Sequence, residues 1–476
     1  MTWTPATNDR ADVYKVFLAD GTQVGLTLAG DPHSAVVSGL DFSQPVVFKV
    51  LSANGYGNSA AATTNAVGGV TTELVSVSTS KAKGNGASDD SYLSADGRFV
   101  TFQSTASNLV AGDTNGVSDV FVHDRLTETT TRVSVSSSGV QGNGASVDPA
   151  ISADGRYVVF PSMATNLVSG DRNNRRDIFV YDRGSSTISR VSLSSSGAQS
   201  NHTSDEAVIS ADGRYVAFRS TATNLVSGDT NGKQDIFRKD TVTGTTILVS
   251  VSTAGVQANN VSDDPQISDD GSRIAFHSDA TNLVTGDTNV VRDAFVRDVT
   301  AGTTVRVSVT ADGTQGNGPS EDATISGDGT VAAFESDATN LIADDTNAHK
   351  DVFARVLATG AIERVSVSTG GVAGNHGSRE ASLSRDGRYV AFDTAASNFA
   401  PGESSSALDL YVRDRLAGTT TLISVLLCGS TPGNAQSLNP SISADGSTVA
   451  FESDATNLVA DDPNALRDVF VRGPAL

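Results

Sequence analysis

One segment of about sixty residues is written seven times along this 476-residue chain. The glycine of its Asp-Gly turn falls at Gly97, Gly155, Gly213, Gly271, Gly329, Gly387 and Gly446, a spacing of 58 residues five times and 59 once. A fixed period of this length means stacked copies of one supersecondary unit, none able to bury its apolar face alone.

Within a copy, apolar and polar residues alternate in short runs, the period of strands and not of helices. In the second copy, strand a is read at Pro149 to Ser152, and Ala153-Asp154-Gly155-Arg156 closes a tight hairpin onto strand b, Tyr157 to Ser162. A long polar segment leads to strand c, Asp177 to Asp182, and a short turn to strand d, Ile188 to Ser194. Repeated four-stranded antiparallel units build a β-propeller.

The last copy supplies strands a (Ser441 to Ser443), b (Thr448 to Ser453) and c (Arg467 to Arg472), but no strand d. A matching strand d, "TTELVSVSTS" (Thr71 to Ser80), instead precedes the first strand a. If Leu74 to Ser78 pairs with the strand beginning at Asp468, both termini complete the seventh blade and no long edge is left open. The fold class expected is all-β: a seven-bladed propeller (70–476) with 1+3 closure, behind a partial N-terminal β-sandwich (1–69).

The hairpins "SADGRFVTF" (Ser94 to Phe102), "SADGRYVVF" (Ser152 to Phe160), "SADGRYVAF" (Ser210 to Phe218) and "SRDGRYVAF" (Ser384 to Phe392), with third strands such as "DVFVHD" and "DIFVYD", carry a resemblance. They resemble the TolB-like, WD-repeat-like propeller family over residues 71 to 473. The resemblance implies the fold and leaves function open, because such propellers serve as enzyme domains, sensors and docking platforms. Ahead of the ring, Trp3, Tyr14-Lys15-Val16, Ser34 to Leu40 and Val46 to Val67 resemble strands of a fibronectin type III sandwich. Val46 stands at that family's tyrosine-corner position, and fewer than the usual 100 or so residues are present. The expectation is a truncated extracellular module whose natural chain began upstream.

Strand alternation puts the long b-to-c and d-to-a connections on one rim, where recognition is normally built. Two constellations fall there. The first is a ring just ahead of strand a: Asp90, Asp148, Glu206, Asp264, Asp322, Glu380 and, in the seventh place, Asn439. These side chains should converge on the axial channel, holding a cation or a cationic group, or else capping backbone N–H groups of the next blade. The second is an Asp-x-Asn-x-x-x-Asp pattern in the b-to-c loops: Asp113, Asn115, Asp119; Asp171, Asn173, Asp177; Asp229, Asn231, Asp235; Asp287, Asn289, Asp293; Asp345, Asn347, Asp351; and Asp462, Asn464, Asp468. Such oxygens suit Ca²⁺ or serve equally as Asx caps of a long loop. The sixth copy breaks the pattern with Glu403, Ser405 and Asp409. An EF-hand is excluded, since its twelfth ligand would be Asp124, about 16 Å along a strand from Asp119.

With 54 acidic against 33 basic residues the net charge is -21, which disfavours nucleic acid and anionic membranes. No apolar run reaches the roughly 20 residues of a membrane span, and no signal peptide opens the chain. The lone Cys428 forms no internal disulfide and reads as a small buried hydrophobe. The six histidines, His33, His123, His202, His277, His349 and His376, occupy unrelated places, and no hydrolase or phosphate-loop motif is present. The sequence thus leads to the expectation of a monomeric, extracellular or cell-surface protein that is not an enzyme. It would be a binding scaffold taking a protein or carbohydrate partner on the long-loop rim, with Ca²⁺ in the loops as the candidate cofactor. The competing expectation is a propeller-fold hydrolase or lyase, or the propeller domain of a larger enzyme.

Overall fold

The computed structural model describes residues 70–400, 407–426, 431–460, 462 and 464–474, and ahead of them the strands Val13–Leu18, Gln23–Leu28, Phe48–Asn54, Gly57–Asn58 and Ala62–Thr63. From residue 70 onward the strands form seven four-stranded antiparallel sheets, and no helix occurs among the described residues. This is the seven-bladed propeller. The third blade is representative, with strand a at Ser204–Ile209, b at Tyr215–Ser220, c at Asp235–Asp240 and d at Thr246–Leu248.

In the second blade strands b and c fall at the expected residues, whereas strand d is Thr187–Arg190, earlier and shorter than the sequence suggested. Val191 N–H still donates to the Ile178 carbonyl of strand c, and beyond it the chain leaves the ladder, Leu193 bridging Gln199 at the start of the loop toward the next blade. Each blade stacks one aromatic ring of strand b on one of strand c, as Phe102 on Phe121 (5.8 Å) or Phe392 on Tyr411 (6.2 Å). These rings are wholly buried and make up much of the core between blades.

The ring closes by the 1+3 arrangement. Strand Val70–Leu74 pairs antiparallel with Asp468–Pro474, with Leu74 opposite Phe470 and Thr72 opposite Arg472. The pairing lies a few residues earlier than expected. Val75 N–H still donates to the Val469 carbonyl at 2.9 Å, and beyond it Ser76 bonds through its hydroxyl, donating to Asp468 at 2.6 Å.

A second closure runs round the axis at the short-turn face. Backbone N–H groups of Ala95, Ala153, Ala211, Asp269, Arg385 and Ala444 each donate to the neighbouring blade at 2.8–3.1 Å, and Asp328 supplies the remaining donor to Arg385. Above this hoop the channel is ringed by Leu93, Ile151, Ile209, Ile267, Ile325, Leu383 and Ile442, around a cavity of about 110 Å³.

Before residue 70 the described strands form one antiparallel sheet in which Val13–Leu18 lies between Gln23–Leu28 and Phe48–Asn54. The described residues supply one layer and not the two of a sandwich, so the fibronectin type III expectation is not supported. Trp3, Ser34 to Leu40, Val46 and His33 lie outside the described residues, as do Glu403, Ser405 and Cys428.

Candidate functional site

The acids of the expected ring meet at the mouth of the axial channel. Asp90, Asp148, Glu206, Asp264, Glu380 and Asn439 line one cavity of about 390 Å³, together with Tyr92, Pro149 and Pro265. All seven ring residues have positive φ, from 40° at Glu206 to 53° at Glu380. In most blades each sits where the register between strands a and b shifts, as between Asp89 and Tyr92 or between Asp205 and Ala207. A bulge in left-handed conformation turns its side chain out of the pleat, here toward the axis. Asp and Asn tolerate that region better than most residues, whereas Glu206 and Glu380 carry more strain.

What the sequence reading missed is the residue facing the ring, the fifth of strand b. It is Gln103, Pro161, Arg219, His277, Glu335, Asp393 and Glu452 in the seven blades, while its neighbours scarcely change. Gln103, His277, Glu335 and Glu452 accept the backbone N–H of the next blade's ring residue, at 2.9 Å for Gln103 with Asp148 and 3.2 Å for His277 Nδ1 with Asp322. Arg219 cannot accept, so Asp263 accepts the Asp264 N–H instead at 3.1 Å. Ring carboxylates therefore do not serve as those caps. The signal was legible as a strand b position that differs in all but one pair of copies while the Phe or Ser beside it is almost constant.

Burial dominates the electrostatics of the mouth. It pushes the Asp90, Glu206 and Asp322 carboxyls well above the usual carboxylate range, and neighbouring carboxyls push further. Asp90 is hydrogen-bonded to Asp148, and Asp264 to both Glu206 and Asp322, contacts that need a shared proton. Burial also raises Glu380, Asp393 and Glu452 to about 7. Arg467 stands 3.3 Å from Glu452 and pulls it the other way without outweighing burial.

His277 gives the ring a nitrogen ligand. Its Nδ1 is 3.4 Å from Asp264 Oδ2 and 3.9 Å from Asp322 Oδ1, and the three groups offer ligand atoms within 4.8 Å of one another. Burial lowers the imidazole pKa, so the ring is neutral near pH 7; its Nδ1 lone pair accepts the Asp322 N–H and would have to exchange that bond for a cation. Two carboxylates and a neutral imidazole are a donor set that suits a divalent cation. The other histidines lie elsewhere: His123 is buried against Thr130, and His349 stacks on His376 at 5.6 Å.

The b-to-c loops hold their own cation. In four blades the last residue of strand d is an arginine lying between the two loop aspartates: Arg132 with Asp113 and Asp119 (3.1 and 3.2 Å), Arg190 with Asp171 and Asp177, Arg306 with Asp287 and Asp293, and Arg364 with Asp345 and Asp351. In the third blade Gln257 bridges Asp229 and Asp235, and in the seventh Lys83 pairs with Asp462. The middle asparagine holds the last aspartate in most copies, as Asn115 with Asp119, Asn173 with Asp177, Asn231 with Asp235, Asn347 with Asp351 and Asn464 with Asp468, whereas Asn289 reaches the Gly316 carbonyl. Ca²⁺ in these loops is therefore not supported, because side chains of the protein already engage their oxygens.

No family model and no curated protein matches the chain. Among solved structures it is similar to an oligogalacturonate lyase in complex with manganese, at 14% identity over 86% of this chain and 94% of that one, with a TM-score of 0.50. It is similar also to an oligogalacturonate lyase of Vibrio parahaemolyticus (14%, 85% and 93%, TM-score 0.49) and to TolB of Acinetobacter baumannii (14%, 80% and 81%, TM-score 0.37). At these identities the likeness shows the fold alone, a β-propeller. The expectation of a non-enzymatic scaffold is corrected here. It rested on a uniform repeat and scattered histidines, yet a lyase has this same fold and His277 sits among the mouth carboxylates.

Proposed function

We propose that this chain is a propeller-fold lyase or hydrolase that works at the axial mouth on a carbohydrate or peptide ligand, with a divalent cation held by Asp264, His277 and Asp322. The observation that carries the reading is the convergence of those three groups beside the mouth cavity, whose wall includes Asp264 and also Glu380, a carboxyl that burial raises to about 7. The solved lyase bound to manganese supports it by showing such chemistry on a propeller. When bound, the cation would supply Lewis acidity toward a substrate oxygen.

The chain's own residues supply proton transfer. Glu380, with a pKa of about 7, can carry a proton or accept one at its carboxylate at working pH. The Asp90–Asp148 pair holds a second proton across the mouth. An elimination needs one group to remove a C–H proton and another to protonate the leaving oxygen, and hydrolysis needs the same pair with water as nucleophile. Ligand would enter by the long-loop rim, and a secreted setting would suit the acidic, Ser- and Thr-rich surface.

Thermal melts with Mn²⁺ and with chelator, on the native protein and on His277→Ala, test the reading. A ligand held only by the folded state at 100 times its Kd adds about 2.7 kcal/mol. The native protein should gain that stability and His277→Ala should not. Screening uronide, neutral glycan and peptide substrates for chelator-sensitive cleavage completes the test, with a new C=C absorbance separating lyase from hydrolase. No Mn²⁺-dependent shift and no cleavage would overturn it.

A further inference from the structure

The short-turn end of the axial channel breaks the repeat in three consecutive blades. The residue after the turn serine is alanine in four copies, Ala95, Ala153, Ala211 and Ala444, but Asp269, Gly327 and Arg385 in the fourth, fifth and sixth. Arg385 Nε lies 2.7 Å from Asp269 Oδ2, so the ion pair passes over the fifth blade. Gly327 makes room for it: a Cβ built there would stand 2.7 Å from Asp269 Oδ1. Three departures that fit one another sterically and electrostatically form one device.

Above the pair, Tyr92 is the single aromatic among the described residues that line the channel's two cavities. It lines both the mouth cavity and the lower one, at a strand a position held by Ala150, Val208 and Gln266 in the next three blades. Tyr92 keeps 37% of its surface open to the channel, and the surrounding protein and the Asp269 charge both raise its phenol pKa.

We propose that the axial channel is a stoppered passage, with Tyr92 as the stopper between its two chambers and the Asp269–Arg385 pair as the latch over its floor. The mouth is then a blind pocket. Ligand enters and leaves by the long-loop rim and presents an end, because no chain can thread the axis. Arg385 is two-thirds exposed, so the pair is of the weak, surface kind and opens at low cost. The inference does not depend on the enzymatic reading above.

Fluorescence quenching tests it. The chain has one tryptophan, Trp3, so Trp3→Phe with Tyr92→Trp puts the only indole in the channel. At pH 8, above the raised values of Asp322, Glu380 and Glu452, the mouth is anionic and repels iodide, which then reaches the probe mainly from the floor, whereas neutral acrylamide reports both routes. Iodide quenching should be weak with the latch intact. It should rise severalfold with Arg385→Ala, with Asp269→Ala, and with Gly327→Ala, which keeps both charges but displaces the aspartate. Equal iodide quenching in all four proteins, or strong quenching with the latch intact, overturns the proposal. Should tryptophan at position 92 prevent folding, the native phenol serves: Asp269→Asn should lower the Tyr92 ionisation midpoint, assigned against Tyr92→Phe, and no shift would overturn the latch.

Discussion

Arg132 holds a guanidinium nitrogen 3.1 Å from Asp113 Oδ1, and the same nitrogen lies 3.2 Å from Asp119 Oδ2, with all three side chains nearly buried. The arginine thus fills the space between loop carboxylates that a metal would otherwise occupy. Removing one partner of a buried pair leaves uncompensated charge and costs about 3–5 kcal/mol. Arg132→Met should therefore lower urea-unfolding stability by about that much, and Ca²⁺ should restore more to the variant than to the native protein. A loss under about 0.5 kcal/mol would show that the guanidinium does not neutralise the loop.

The closing strands offer a second test. Glu73 stands opposite Val471 across the last sheet, joining residues almost 400 positions apart. A Glu73→Cys, Val471→Cys disulfide in a Cys428→Ser background closes a very long loop of the unfolded chain. Such a bond adds about 2–4 kcal/mol where geometry permits. The oxidised protein should melt higher than the reduced one, and equal midpoints would mean that the strands do not pair in solution.

Stability should fall as pH rises across the neutral range. Glu380 and Glu452 have folded pKa values of about 7 against about 4.3 when unfolded. Between those values the folded state holds more protons, so each group's contribution is full below about pH 4 and is lost as pH climbs through 7. Asp182, Asp240 and Asp414, drawn below the usual range chiefly by Arg156, Arg214 and Arg388, act oppositely, but only below about pH 4. Urea-unfolding stability measured from pH 5 to 8 should slope downward. Glu380→Gln with Glu452→Gln should make it shallower, with Asp393 and the ring acids supplying the remaining slope, and a flat native profile would contradict the buried, protonated mouth.

The repeat made much of this architecture legible. Period and turn glycines fix blade number, and the stray strand d at Thr71 fixes the closure, because both follow from local alternation and chain continuity. The acid ring was legible for the same reason, as a recurring position next to strand a. What stayed hidden depends on neighbours brought together only by closure. Arg132 and Asp113 are 19 residues apart and meet through the return of strand d, so the loop acids read as metal ligands lacking a metal. His277 looked solitary because its partner Asp322 belongs to the next blade. Asp269 and Arg385 are separated by two whole repeats and meet only across the axis.

The bulge at the mouth can be tested apart from its charge. Asp148 has φ of 46°, a region that costs an ordinary side chain about 1–2 kcal/mol and glycine nothing. Asp148→Gly and Asp148→Ala remove the same carboxylate and the same shared proton with Asp90, so they differ only in backbone preference. In an extended strand alanine would be the more stable of the two, because glycine adds freedom to the unfolded chain. At a left-handed bulge the order reverses, and Asp148→Gly should exceed Asp148→Ala by about 1 kcal/mol in urea unfolding. Asp148→Val, β-branched, should fall lower still. If alanine matches or surpasses glycine, the ring residue is not held in the left-handed conformation, and the carboxylates owe their aim at the axis to something other than the bulge.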